Sequence, residues 1–186
     1  MDLLENMAKA GPVGDNAARY LVEKKVYIDF KPIRGAGAMY LPWWWPGKGF
    51  PHPKVYLDAN TYSLETSPSD PYMVSLVIHE TVHLQQGVVK ALSVQGELEA
   101  WQAQYQAHNR FVEEILPDEE KLGGKWDEIA ALSLDSRADL ERAQELMVNL
   151  SPGYQADLLP LYPLPQEIAY HVQHIMEAVL RLGGAP

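Results

Sequence analysis

Asp70-Pro-Tyr-Met-Val-Ser-Leu-Val-Ile-His-Glu-Thr-Val-His-Leu-Gln-Gln-Gly87 reads as a complete helix with its own start and stop. Asp70 can cap the free backbone N–H groups of a first turn, Pro71 suits the first helical position, and Gly87 can close the last turn in the left-handed conformation. Met73, Val74, Val77, Ile78, Val82 and Leu84 cover most of its circumference, so the helix should be largely buried. Inside it lies His79-Glu80-Thr81-Val82-His83. Residues four apart on a helix differ by about 40° in direction and one turn in height, so both imidazoles point to one place and can share a metal ion. Glu80 lies about 60° to 100° around the helix from them, close enough to reach a water on that metal without ligating it. Buried in an apolar helix, two histidines and a carboxylate are costly unless hydrogen-bonded or metal-bound, which argues against ordinary surface residues. With only six histidines in the chain, random placement would produce the pattern in roughly one such chain in a hundred.

A catalytic zinc ion usually takes three protein ligands and a water. The chain has no cysteine, so disulfides and thiolate ligands are excluded and any transition metal must be held by His, Asp or Glu. The next helix, expected over about 95–115 and stopped by Pro117, carries two carboxylates, Glu97 and Glu99, that point about 200° apart. Glu97 shares its side with Trp101, Tyr105 and His108, which continue to Val112 and Ile115 as the larger apolar stripe, whereas Glu99 lies nearer Ala103. That stripe favours Glu97 as third ligand, with Glu99 as the alternative. For either residue the plain reading is a solvated helix-surface carboxylate.

These residues, with Gln86 three places after His83 and then Glu97-Leu-Glu-Ala100, resemble the gluzincin metallopeptidases, and the compact single-domain minigluzincins most closely in size. The resemblance spans about 54–106, and its specific part is the two histidines with Glu80. It implies one Zn²⁺ held by His79, His83 and Glu97, since the family's third ligand is a glutamate often followed three residues on by Ala, which matches Glu97 and Ala100 better than Glu99 and Gln102. It implies hydrolysis of peptide bonds in a peptide or protein substrate, with Glu80 activating the zinc-bound water. Many relatives carry Asp or Asn one position after that alanine, bonded to a motif histidine. Trp101 stands here instead, with Asp58, Asp70 and Gln104 as substitutes. The family's fold also implies a sheet whose edge strand lies along the cleft, and 54–58 is the strand assigned to that place. The competing expectation is a catalytically silent or latent zinc-binding regulatory module on the same fold.

The rest of the chain fits a mainly helical α+β domain. A length of 186 residues, 47% of them apolar, suits one domain over 1–186, with a zinc-site core at about 54–106 and a C-terminal helical extension over 125–186. Strands are expected at 26–30, 38–41 and 54–58, forming a small mixed sheet packed on the zinc-binding helix. Helices are expected at 15–24, 126–150 and 166–182. Between the second and third strands, Pro42-Trp-Trp-Trp-Pro-Gly-Lys-Gly-Phe-Pro-His-Pro53 indicates an aromatic loop that packs over the core.

A formal charge of -10 disfavours nucleic acid and anionic membrane surfaces, and no apolar run approaches the length of a membrane span. Asp2 and Glu5 stand where a secretory signal would carry positive charge, so a cytoplasmic location is the expectation. Tyr170, His171 and His174 on the last helix are weaker candidates for transition-state stabilisation, His171 falling within that helix's apolar stripe. His52 and His108 read as ordinary. The proline-rich 158–165 is a candidate internal plug across the cleft, which would make the enzyme latent.

Overall fold

The computed structural model describes residues 2–33, 36–39, 52–151 and 154–183. The architecture is mainly helical α+β, and no helix among the described residues is long and apolar enough to cross a membrane. Helices α1 (Leu3–Lys9) and α2 (Pro12–Glu23) precede strands β1 (Tyr27–Lys31), β2 (Ala36–Met39) and β3 (Lys54–Asp58). Then follow α3 (Pro71–Gln86), the short α4 (Val88–Ala91), the long α5 (Val94–Ile115), α6 (Lys125–Ala131), α7 (Arg137–Leu150), a 3-10 turn at Ala156–Leu158, and α8 (Leu164–Gly183).

The sheet order is β1-β3-β2, with β1 parallel and β2 antiparallel to β3. This corrects the place assigned to 54–58. Lys54–Asp58 is the central strand, and its backbone groups are taken on both sides. Burial explains the choice, because Val55, Tyr56 and Leu57 are all buried, as a strand covered on both faces requires. Val55 and Leu57 join Val74, Val77 and Ile78 of α3 in a first apolar cluster, which also takes Met7 of α1, Leu21 of α2 and Phe111 of α5. The aromatic loop lies outside the described residues, apart from His52 and Pro53.

Helix α3 begins and ends where its sequence directs. Asp70 Oδ1 accepts from the Met73 N–H at 2.7 Å, Pro71 opens the helix, and Gly87 at φ +75° closes it. Ser93 caps α5 in the same way, its Oγ accepting from the Gly96 N–H at 3.1 Å. The single helix expected over 126–150 is instead two, α6 and α7, broken at 132–136. Serine side chains take over the backbone there: Ser133 Oγ accepts from the Asp135 N–H, and Ser136 Oγ accepts from the Asp139 N–H to start α7. The carbonyls exposed by the break are taken by α5, whose Gln102 donates to Ile129 and Leu132 and whose Gln95 donates to Leu134.

A second apolar cluster therefore forms on the other part of α5. Val94, Leu98 and Trp101 pack there with Ile129 of α6, Leu140 and Met147 of α7, and Ala156 and Leu161 beyond it. Helix α5 carries both clusters and packs along α3, and Glu97 in its first turn faces His79 and His83. The segment expected as a plug, 158–165, packs against the start of α5. Pro160 and Leu161 offer their carbonyls to the backbone N–H groups of Val94 and Gln95, both at 2.9 Å, so the segment braces the first turn of α5. Helix α8 leaves Leu164, Ile168, Val172, Ile175 and Met176 exposed.

Candidate metal centre

One turn of α3 brings His79 and His83 together as the four-residue spacing requires. Their Nε2 atoms are 3.1 Å apart, and the rings meet edge to face at 77°. Glu97 reaches them from the first turn of α5, its Oε2 lying 3.4 Å from His83 Nε2 and 3.8 Å from His79 Nε2. Ligands at the usual zinc distances, arranged tetrahedrally, stand about 3.3 Å from one another. The three donor atoms are spaced accordingly, and these residues form a buried group that could hold a metal ion. His79, Glu80 and Glu97 are 7%, 5% and 8% exposed, so the group is almost closed to water. Glu97 Oε2 and His79 Nδ1 are also shielded from solvent without a well-formed hydrogen bond. A buried carboxylate oxygen left in that condition is costly, and a cation among the three donors would remove the cost.

Electrostatics reflect the same crowding. Burial pushes the pKa of His79 down to about 3, helped by the neighbouring His83 and opposed by Glu97, so the ring is uncharged at neutral pH. Burial would lower His83 as well, but its close contact and charge interaction with Glu97, together with Glu80 and Gln86, raise it above its ordinary value. Burial works to raise Glu97, and His83 and His79 overcome it and hold the carboxylate below its usual range. Glu80 has no such partner. Its Oε1 lies 4.0 Å from His79 Nε2, and burial pushes its pKa up to about 7, with His83 acting against the shift and Glu97 adding to it.

Glu99, the alternative ligand, faces away from this group and pairs with Lys90 Nζ at 2.7 Å and Gln86 Nε2 at 2.6 Å. The departure at Trp101 also has a visible consequence. Its indole meets His79 edge to face, 6.4 Å between centroids, and stacks on Trp126 at 4.8 Å, and among the described residues no carboxylate bonds His79 Nδ1. Asp58 bonds the turn after β3 and Asp70 caps α3; Gln104 is the member of that set that comes near His79, working with the Ala100 backbone to raise its pKa.

The weaker candidates on the last helix fall outside the group. His171, expected in an apolar stripe, is exposed and bonds Glu167 at 3.1 Å, while His174 Nδ1 contacts the Tyr170 carbonyl at 2.8 Å. The Tyr170 ring lies under the Arg137 guanidinium, 4.4 Å away. The stripe pattern misleads because α8 has no apolar partner among the described residues to bury it. A residue that the sequence did not single out takes the place beside the three donors. Tyr154 reaches Glu97, and its pKa is raised by burial and by the charges of Glu97 and Glu80. It follows the break after α7 and carries no motif, so only the packing beneath Trp101, 6.2 Å between rings, reveals it. His108 is a core histidine, fully buried with its ring 4.7 Å from that of Tyr72.

A scan of protein-family models, a search of curated proteins and a search of solved structures each found no match.

Proposed function

We propose that this protein is a zinc-dependent peptidase of gluzincin type, with His79, His83 and Glu97 as the metal ligands and Glu80 as the general base. The observation that carries the reading is the buried triangle of two Nε2 atoms and one carboxylate oxygen, with a fourth ionisable group beside it that is not needed to complete the triangle. A zinc ion held there would supply Lewis acidity, polarising a peptide carbonyl and making water a stronger acid. The chain's own work is proton handling. Burial raises the Glu80 carboxyl in the metal-free chain and a neighbouring cation would lower it again, so beside zinc Glu80 is an ionised base whose Oε1 takes the proton of the attacking water and delivers it to the leaving amine. Tyr154, with its hydroxyl held protonated, is a donor positioned beside Glu97 that can steady developing negative charge.

A second reading is a latent or catalytically silent zinc-binding module, favoured by the near-complete burial of His79, Glu80 and Glu97. Metal analysis combined with turnover of a peptide library separates the two. Under the peptidase reading, Glu80→Gln keeps one zinc per chain and loses hydrolysis by about 100-fold or more. Full hydrolysis in that variant rejects the role of Glu80. Stoichiometric zinc with no turnover by the unaltered protein selects the silent module, and the absence of zinc rejects both readings.

A further inference from the structure

His83 turns its second nitrogen away from the ligand triangle, toward the C-terminal end of α3. There Nδ1 meets Gln86 Oε1 at 3.1 Å. The Gln86 amide has little freedom in which atom it offers, because Nε2 donates to the Gly96 carbonyl at 2.9 Å and to Glu99 Oε2 at 2.6 Å. Both partners belong to α5 and neither has a proton to give. With the amide reversed, its oxygen would face two acceptors while its N–H groups faced the imidazole, so the other orientation alone makes every contact a donor–acceptor pair. Oε1 can only accept, and the hydrogen on the His83 ring must therefore sit at Nδ1. That leaves Nε2 as the atom turned toward His79 Nε2 at 3.1 Å and Glu97 Oε2 at 3.4 Å. Glu99 is itself held by Lys90 Nζ at 2.7 Å, an ion pair that keeps its oxygens as acceptors.

We propose that Gln86, anchored by Glu99 and Lys90, is a positioning residue that fixes the tautomer and ring orientation of His83, so that Nε2 is presented to the metal. This rests on the metal-site reading above and extends it to three residues that touch no metal. Glu99 acts on the site through Gln86, across the α3–α5 contact, and the same bonds hold Glu97 in register because Gly96 is its neighbour in α5.

The test measures zinc affinity by competition with a chromophoric chelator, and ¹⁵N–¹H spectra of the histidine rings in the chelated protein. Gln86→Met keeps the length of the side chain and removes the acceptor. Its expected effect is an affinity about 10- to 100-fold weaker, the usual cost of losing a partner of a metal-ligating histidine. The Nδ1–H signature of His83 is expected in the unaltered protein and expected to give way to a mixture of tautomers in the variant. A merely structural role would change thermal stability and leave that signature alone. The paired exchange Gln86→Glu with Glu99→Gln restores an acceptor to His83 and a donor between the side chains, and should regain affinity over Gln86→Met. Glu99→Ala, at a partly exposed position, should weaken zinc binding in the same direction by several-fold. Unchanged affinity and an unchanged Nδ1–H signature in Gln86→Met would overturn the inference while leaving the metal site standing. Failure of the unaltered protein to bind zinc would overturn the site and this inference together.

Discussion

In the metal-free protein a second proton on His83, at Nε2, is the competitor that any cation must displace. His83 is raised above its ordinary pKa by Glu97 against the effect of burial, and its Nε2 is one of the three donors. Below that raised pKa, each unit of pH therefore lowers zinc affinity about tenfold, and above it the dependence on this group disappears. Competition titrations between pH 5 and 8 should show this bend, and a flat profile would exclude His83 as a ligand. Glu97→Ala removes the raising partner and leaves burial in place, so the titration of the His83 ring should move to lower pH while zinc affinity falls with the loss of a ligand. An NMR midpoint for His83 that stays where it was would contradict the pairing. His79 and His83 were legible as partners because their geometry follows from the period of one helix. The choice of Glu97 over Glu99 depended on the rotation of a second helix, which a stripe of apolar residues only suggests.

That rotation is held by a close approach of backbones at the start of α5. A Cβ built on Gly96 would stand 2.0 Å from the Lys90 carbonyl oxygen, so an alanine there must push α5 away from α4. Gly87 has open space around it, and its requirement is conformational, φ +75°. Gly87→Ala should cost about 1 kcal/mol of stability with zinc affinity unchanged, since only backbone strain is added. Gly96→Ala should cost about 1 to 3 kcal/mol and weaken zinc binding as well, because overpacking displaces the turn that carries Glu97. Denaturant midpoints and chelator competition on the two variants check the contrast, and equal zinc affinities would show that the contact does not position the ligand. The three strands and the ends of α3 were visible as local signals, including the cap Asp70 and the stop at Gly87. The central position of β3 and the break between α6 and α7 were not, because each depends on which distant groups satisfy the backbone, such as Gln95 and Gln102 reaching the carbonyls of the break.

The C-terminal quarter divides into a part that the metal site needs and a part that it does not. Helix α8 is tied to the body by Glu167, which bonds Arg137 and the Tyr162 N–H, and its apolar side chains at 164, 168, 172, 175 and 176 remain exposed. Removing 164–186 should shift the melting temperature by only a few degrees, about the effect of 1 kcal/mol in a domain of this size, and leave zinc stoichiometry intact. Removing 154–186 instead takes away Tyr154, the buried Ala156 and Leu161, and the carbonyls that receive the first N–H groups of α5. That truncation should strongly destabilise the fold and abolish zinc binding, and metal analysis with thermal unfolding of the two proteins checks both outcomes. From sequence came the helix of His79 and His83, its caps, the shared direction of its two imidazoles and the helix on which a third donor would lie, all consequences of a 3.6-residue period and of which side chains can bond a free backbone group. Packing in three dimensions assigned Glu97 to the triangle and Glu99 to Gln86, brought Tyr154 beside the ligands, put β3 in the middle of the sheet and turned His171 to solvent. Those outcomes depend on how separate helices rotate and settle against one another, and no local pattern of residues encodes a contact between segments that meet only after the core has formed.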